Sequence, residues 1–476
     1  MIFDSFSSYK TSEGSPTVCI IGSGPAGISL ALALEKQKIS CLIVEAGSMQ
    51  YSVESQRAYR GKVIGDDYIP LELARLRYFG GSSGHWAGWC RPLDEVDFEV
   101  RNGIKHSGWP IRKKDLDPYA KTTESILEIN AFSPDKRINS DINEVFFHFS
   151  PPVRFGDKYR DYIKKSPLIS LLINSPITDI VPSKGKVSHI NVHSKNNLNP
   201  KISAKYFCLC TGGIENSRLL LWSNQLHNGG VVPNAEALGK YWMEHPIYDV
   251  GKSMLYNFTK MHRKHEGQRF YSPTAKFLRT HNIDNFGLRV RVGRGYVKSL
   301  IKDGLCVAPN FFSKLANKDI CSAKLQLAWA QVPVSSNRIE LSTEKDATGV
   351  PQTNLFWEKQ PQDRRTAETA LKLFGRHLST QDLGRVKVSN WLANELDYPE
   401  DDPERIGYHH MGGTRMTSNA SEGVVDGNCK VFGVDNLYIS GSSVFATGGH
   451  ANPTYTIVQL ALRLGDHIAQ NEARTT

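Results

Sequence analysis

The stretch Thr17–Val44 constrains the fold more than any other part of the chain. A hydrophobic run, Val18–Ile21, meets Gly22-Ser23-Gly24-Pro25-Ala26-Gly27. An apolar helical pattern from about Ala26 to Lys36 then leads into a second run, Cys41–Val44. Strand, glycine turn, helix and strand make a βαβ unit, which requires a parallel sheet and a right-handed crossover. The glycines satisfy G-x-G-x-x-G, a pattern that is weak alone and informative between a strand and a helix. Gly22 permits the tight turn, Gly24 lets backbone approach a pyrophosphate, and Gly27 lets the helix lie close on the strand. The helix start, with Pro25 and Ala26, offers unpaired N–H groups to phosphate oxygens. Glu45 ends the second run, 18 residues beyond Gly27. Its carboxylate can accept from a ribose hydroxyl and would repel a 2′-phosphate. These residues predict a bound dinucleotide without deciding between nicotinamide and flavin.

A chain of 476 residues exceeds one ordinary core and implies roughly two to three domains. Its 40% hydrophobic and 22% charged residues are the composition of a folded globular protein. The apolar runs fall well short of the ~20 residues a bilayer needs, so no membrane span is expected. The first 17 residues lack the apolar centre of a secretory signal and show no twin arginine, and the expected compartment is the cytoplasm. Tyr206–Leu209, the Gly212-Gly213 turn and the apolar run Leu219–Trp222 suggest a second βα unit. Leu437–Ile439 reads as a strand, and Pro453–Ile468 as a helix with Ile457, Leu460, Ala461 and Leu464 on one face. Gly251–Tyr398 has no glycine fingerprint and alternates at Leu288–Val292 and Leu325–Val332, which predicts antiparallel strands. The expected fold class is α/β (α+β overall). A discontinuous Rossmann-type domain takes 1–250 and 405–476, with covering loops at about 75–120. A substrate-binding domain with an antiparallel sheet takes 251–404.

The net charge of +10 is unevenly placed: between Gly251 and Cys306 twelve Lys or Arg face three carboxylates. A basic face attracts anions, which leaves room for an anionic or carrier-bound substrate, although a solvated face is the commoner use. No nucleic-acid partner is expected, because the stretch lacks regularly interleaved aromatics and matches no known module. Eight cysteines are too sparse for a disulfide framework. Cys208-x-Cys210 has no second pair, so the expectation is small buried side chains and no metal site.

Five blocks carry a family resemblance. The first is the fingerprint with Glu45-Ala46-Gly47. The second is RYFGGSSGHWAGWCRPLDEVDF, Arg77–Phe98, with HSGWPIRKKDLDPYA, His106–Ala120. The third is CTGGIENSRLLLWSN, Cys210–Asn224, and the fourth LGKYWMEHP, Leu238–Pro246. The fifth runs from GYHHMGGTRM, Gly407–Met416, through Asn436–Ile468. In order and joint occurrence these resemble the glucose–methanol–choline (GMC) oxidoreductases, in the branch of pyranose oxidases and bacterial sugar or glycoside oxidases. The blocks cover about half the chain. Residues 251–400 show no useful resemblance and are expected to choose the substrate.

The resemblance implies FAD as cofactor and oxidation of a small-molecule alcohol, with oxygen or an unknown acceptor taking the electrons. Alignment on Thr414-Arg415-Met416 places His409 at the family's catalytic histidine, and counting back from the last helix places Asn452 at its His/Asn position. An imidazole can take the hydroxyl proton at neutral pH, and an amide can donate to the developing alkoxide. His410 and His450 are further candidates, each able instead to orient a neighbour. Gly80, Gly81, Ser82, Ser83 and Trp86 lie where the family loop passes the flavin, and Gly212 belongs to the second nucleotide-side turn. Gly441, Ser442, Pro453 and Thr454 are implied to face the pyrophosphate and the flavin pyrimidine. Gly441–Ser443 replaces the Asp-Ala or Asp-Ser of many members. His85 stands where pyranose oxidases bond the flavin covalently, but Gly84 replaces the family Thr, and proximity rather than a bond is the expectation. The rival activity is a flavin-containing lyase of the same family. A non-catalytic escort protein on an FAD-type fold is the alternative from another class, and it needs neither His409 nor Asn452.

Overall fold

The computed structural model describes residues 1–10, 15–151, 153–193, 200–256, 268–292, 320–402 and 404–474. Six short strands form one sheet in the order Ile2–Phe3, Ile169–Leu172, Cys41–Val44, Val18–Ile21, Tyr206–Leu209, Leu437–Ile439, and every neighbouring pair is parallel. The central strands are apolar at every position and fully buried, as a parallel sheet covered on both faces requires. The chain leaves Val18–Ile21 to one side for Cys41–Val44, then returns to its other side with Tyr206–Leu209. That change of direction opens a crevice at the carboxyl ends of the two strands, where such sheets bind ligands.

The helices Pro25–Lys36 and Thr454–Ala473 pack against each other beside this sheet. Gly465 allows the approach: a Cβ there would stand 2.5 Å from the Ala33 Cβ. The C-terminal helix begins where its apolar periodicity begins and runs one turn further than Ile468. The second βα unit follows its expectation, with a helix over Glu215–Leu226.

A seven-stranded antiparallel sheet makes the second layer, ordered Gly384–Val388, Ile247–Tyr256, Ile320–Trp329, Phe286–Val292, Gln268–Pro273, Ile142–Val145, Lys136–Arg137. Two of its strands thus come from the chain ahead of residue 250. Pro351–Trp357 pairs in the other direction, parallel to Gly61–Gly65. The helix Pro361–Thr380 covers this sheet with Ala367, Ala370, Leu371, Phe374 and Leu378, a 3.6-residue stripe within a sequence read only for its strands. Each large side chain in that stripe contributes roughly 1.5–3 kcal/mol of burial.

Of the basic stretch, residues 257–267 and 293–306 lie outside the described residues. Among the described ones, Arg269 pairs with Glu144 at 3.1 Å and Arg279 with Glu99 at 2.6 Å. Glu404 lies 3.7 Å from Arg289 and 3.0 Å from Arg291. Cys208, within the parallel sheet, and Cys210, just past the end of its strand, are buried thiols. No helix among the described residues is long and apolar enough to cross a membrane.

Candidate active site

The crevice at the sheet's carboxyl edge is a cleft of about 650 Å³, within the size range of small-molecule and cofactor sites. Its wall includes Gly22, Gly24, Pro25 and Ala26 from the first turn, Glu45 and Ala46 from the second strand end, and Gly212. Gly22 holds φ at 103°, and a Cβ on it would meet the Cys210 carbonyl oxygen at 2.6 Å. A Cβ on Gly24 would touch nothing within 4 Å, because that face opens on the cleft. The Pro25–Lys36 helix starts there without a side-chain cap, so its first N–H groups are left for a ligand. Gly27 stands behind the wall, where a Cβ would be 2.0 Å from the Gly22 oxygen. Glu45 is buried and accepts from the Ser23 amide at 3.1 Å, the Ser23 hydroxyl at 2.5 Å and the Gly47 amide at 2.7 Å.

The loop 80–86 closes over this turn. A Cβ on Gly81 would lie 3.3 Å from the Gly24 Cα, so the two glycine loops are almost in contact. Gly81, Ser82, Ser83, His85 and Trp86 line the cleft, while Gly80 sits behind them, its amide donating to Ser23 Oγ at 3.3 Å. Ser83 Oγ donates to the Gly80 carbonyl at 2.7 Å and accepts from the Phe155 amide at 3.1 Å. Trp86 Nε1 donates to the Val153 carbonyl at 3.0 Å. Burial and Arg154 lower the pKa of His85. A narrow shelf between two glycine turns, an uncapped helix end and a buried acceptor together fit the FAD pyrophosphate and ribose.

Histidines occupy the other end. His409, His410, Asn452, Pro453, Thr454, Gly441 and Ser442 all line the same cleft. His409 Nε2 lies 3.0 Å from Asn452 Nδ2, and His409 Nδ1 lies 2.8 Å from His245 Nδ1. Burial first, then His245 and His410, holds the His409 pKa well below its ordinary value, so the ring is neutral at physiological pH. His410 faces inward: its Nε2 is 3.0 Å from the Tyr68 hydroxyl, and burial with Arg75 lowers its pKa to about 3. His450 is off the wall, with Nε2 3.1 Å from Asp94 Oδ2. The Asp94 carboxyl is held low against its own burial by Arg91 and by the bond to His450.

Beneath the histidines sits Glu244, fully buried. It accepts from the amides of His245 and His409, both at 2.7 Å, and from the Tyr68 hydroxyl at 2.6 Å. Burial raises its pKa to about 7 despite those donors. The sequence reading assigned no role to Tyr68, Glu244 or His245. The last two lay within the quoted block Leu238–Pro246, where an acid and a histidine side by side before Pro246 were the available signal.

Residues 333–461 match the family model described as GMC oxidoreductase, and residues 15–64 match an FAD binding domain. The chain is 25% identical to a 2-methyl-1,2-propanediol dehydrogenase of Mycolicibacterium austroafricanum, over 97% of this chain and 96% of that one. It is 22% identical to a C-glycoside 3-oxidase of Microbacterium trichothecenolyticum, over 85% and 77%. A crystal structure of pyridoxine 4-oxidase from Mesorbium loti shares the fold with a TM-score of 0.57 at 14% identity, over 95% of this chain and 99% of that one.

Proposed function

We propose that this chain, a GMC oxidoreductase that binds FAD and acts on CH–OH donors, oxidises a polyhydroxy compound: a sugar, a glycoside or another cyclic polyol. The observation that carries the reading is the neutral His409 with its Nε2 beside the Asn452 amide, on the wall of the cofactor cleft. His409 takes the substrate hydroxyl proton at Nε2. The Asn452 amide donates to the alkoxide that forms, without competing for the proton. FAD, when bound, supplies the acceptor for the hydride. Glu244 fixes the backbone of His409, and Tyr68 holds His410 and Glu244 together. His410 acts through Tyr68, and His450 through Asp94, rather than on the substrate.

The names of the two relatives, a diol dehydrogenase and a glycoside oxidase, support a hydroxyl-rich substrate. The test is anaerobic mixing of FAD-loaded enzyme with diols, sugars and glycosides while the visible flavin band is followed. Bleaching by one of them, with the matching carbonyl product, is expected. A flavin left oxidised while the substrate is cleaved would identify a lyase instead.

A further inference from the structure

The Nδ1–Nδ1 contact between His245 and His409 has a consequence for which nitrogen of His409 carries its proton. Two imidazole nitrogens 2.8 Å apart must share one hydrogen: one donates and the other accepts. If His245 donates, His409 is protonated at Nε2, and the nitrogen facing Asn452 has no lone pair for a substrate proton. If His409 donates, its Nε2 is free to accept. The surroundings of His409 select the second arrangement. The Asn452 Nδ2 lies 3.0 Å from His409 Nε2 and can only donate, so that nitrogen carries the lone pair. The ring proton of His409 is then on Nδ1, and His245 Nδ1, 2.8 Å away, receives it. A Cβ on Gly448 would come within 3.2 Å of His245 Nε2, so backbone closes the site from the far side.

We propose that His245 is a positioning residue which, by accepting the Nδ1–H of His409, locks that ring in the tautomer whose Nε2 lone pair faces the cleft. The proposal rests on His409 being the base. The ring of His245 is itself fixed by position: it is buried, and its backbone amide is tied to Glu244. Once His409 has taken the substrate proton, both its nitrogens are donors. The Nδ1–H keeps its acceptor, so no rearrangement is needed between the neutral and charged forms.

The experiment uses FAD-loaded enzyme with 15N-labelled histidine, in the native form and as His245→Leu and His245→Asn. His409→Gln assigns the ring signals. In the native enzyme the expected state of His409 is protonated Nδ1 and unprotonated Nε2. His245→Leu, which has no acceptor, is expected to mix or invert the two. His245→Asn, whose amide oxygen can accept, is expected to retain the native tautomer. A native His409 protonated at Nε2 overturns the proposal, and so does a tautomer unchanged in His245→Leu. The native spectrum decides even if the leucine variant does not hold FAD. With the alcohol that reduces the native flavin, His245→Leu should lower the reduction rate by roughly 10²-fold with KM within about threefold. Most of that rate should return in His245→Asn, a recovery that a merely space-filling role would not give. Undiminished reduction in His409→Gln would remove the base assignment itself. Loss in His409→Gln without loss in His245→Leu would remove only the role of His245.

Discussion

In the proposed reaction the imidazole of His409 is a base made ready by burial. Its pKa lies well below the ordinary 6.5, so it is unprotonated across the neutral range. A base of that kind gives a rate of flavin reduction that is flat from about pH 6.5 to 8 and falls only on the acid side, as the ring takes up its proton. A rate that climbs through neutrality would instead report a base titrating near 6.5. Asn452→Ala should slow reduction by roughly 10²-fold, the cost of one donor to a developing oxyanion, while FAD stays bound. Single-turnover reduction with the flavin spectrum as loading control reads both quantities. At this scale the sequence was informative wherever a residue stands in a local pattern. His409 and Asn452 were named from the segments around them, and the structure puts their side chains 3.0 Å apart across 43 positions. Tyr68 belongs to no local pattern; Glu244 and His245 stand in the block Leu238–Pro246, but the roles of all three come from partners 164 to 342 residues away.

Two short extended segments explain how those partners meet. Met243 pairs antiparallel with Met411, each amide bonded to the other's carbonyl at 2.8 and 3.0 Å. In that register Glu244 stands opposite His410 and His245 opposite His409. Nothing in either stretch announces a strand, because they pair only through two isolated bridges, Met243 with Met411 and Pro246 with Ile406. Tyr408, just before His409, adopts φ of 58°, a left-handed conformation uncommon for a tyrosine, which marks how tightly the segment is held. The first turn makes the opposite case, since the glycine spacing alone specified its shape. Two substitutions there should separate binding from folding. Gly24→Ala places its methyl in the open cleft and should weaken FAD retention while apoprotein melting is unchanged. Gly27→Ala drives a Cβ into the Gly22 oxygen and should destabilise the apoprotein by about 1–3 kcal/mol. Equal loss of apoprotein stability in both variants would contradict this division of roles. Differential scanning of apo and loaded forms distinguishes the outcomes.

For the whole molecule, two layers differ in strand pairing, and the cleft lies at the carboxyl edge of the parallel one. The parallel layer was legible through buried apolar runs and glycine turns. In the second layer the alternating runs near 288–292 and 325–329 were legible, whereas the long-range pairing of Ile142–Val145 with Gln268–Pro273 was not. The second layer also carries its own pH dependence. Burial raises the Asp284 pKa to about 8 against the pull of Arg101, from an ordinary 3.8. Between those two values the folded form binds a proton that the unfolded chain does not. This contribution to stability is therefore full below about pH 4 and is lost as pH rises through 8. The melting temperature of the native protein should fall more steeply between pH 6 and 9 than that of Asp284→Asn, which has no charge to bury. Parallel slopes for the two proteins would show that Asp284 does not titrate in this way. The central claim is that the cleft at the edge of the parallel layer oxidises an alcohol with His409 as base. Its most direct test is anaerobic stopped-flow reduction of the bound flavin by the best polyol, in native enzyme and in His409→Ala. The account predicts reduction in the native enzyme and a rate lower by about 10²–10⁴-fold in the variant with FAD still bound; equal rates in the two would contradict it.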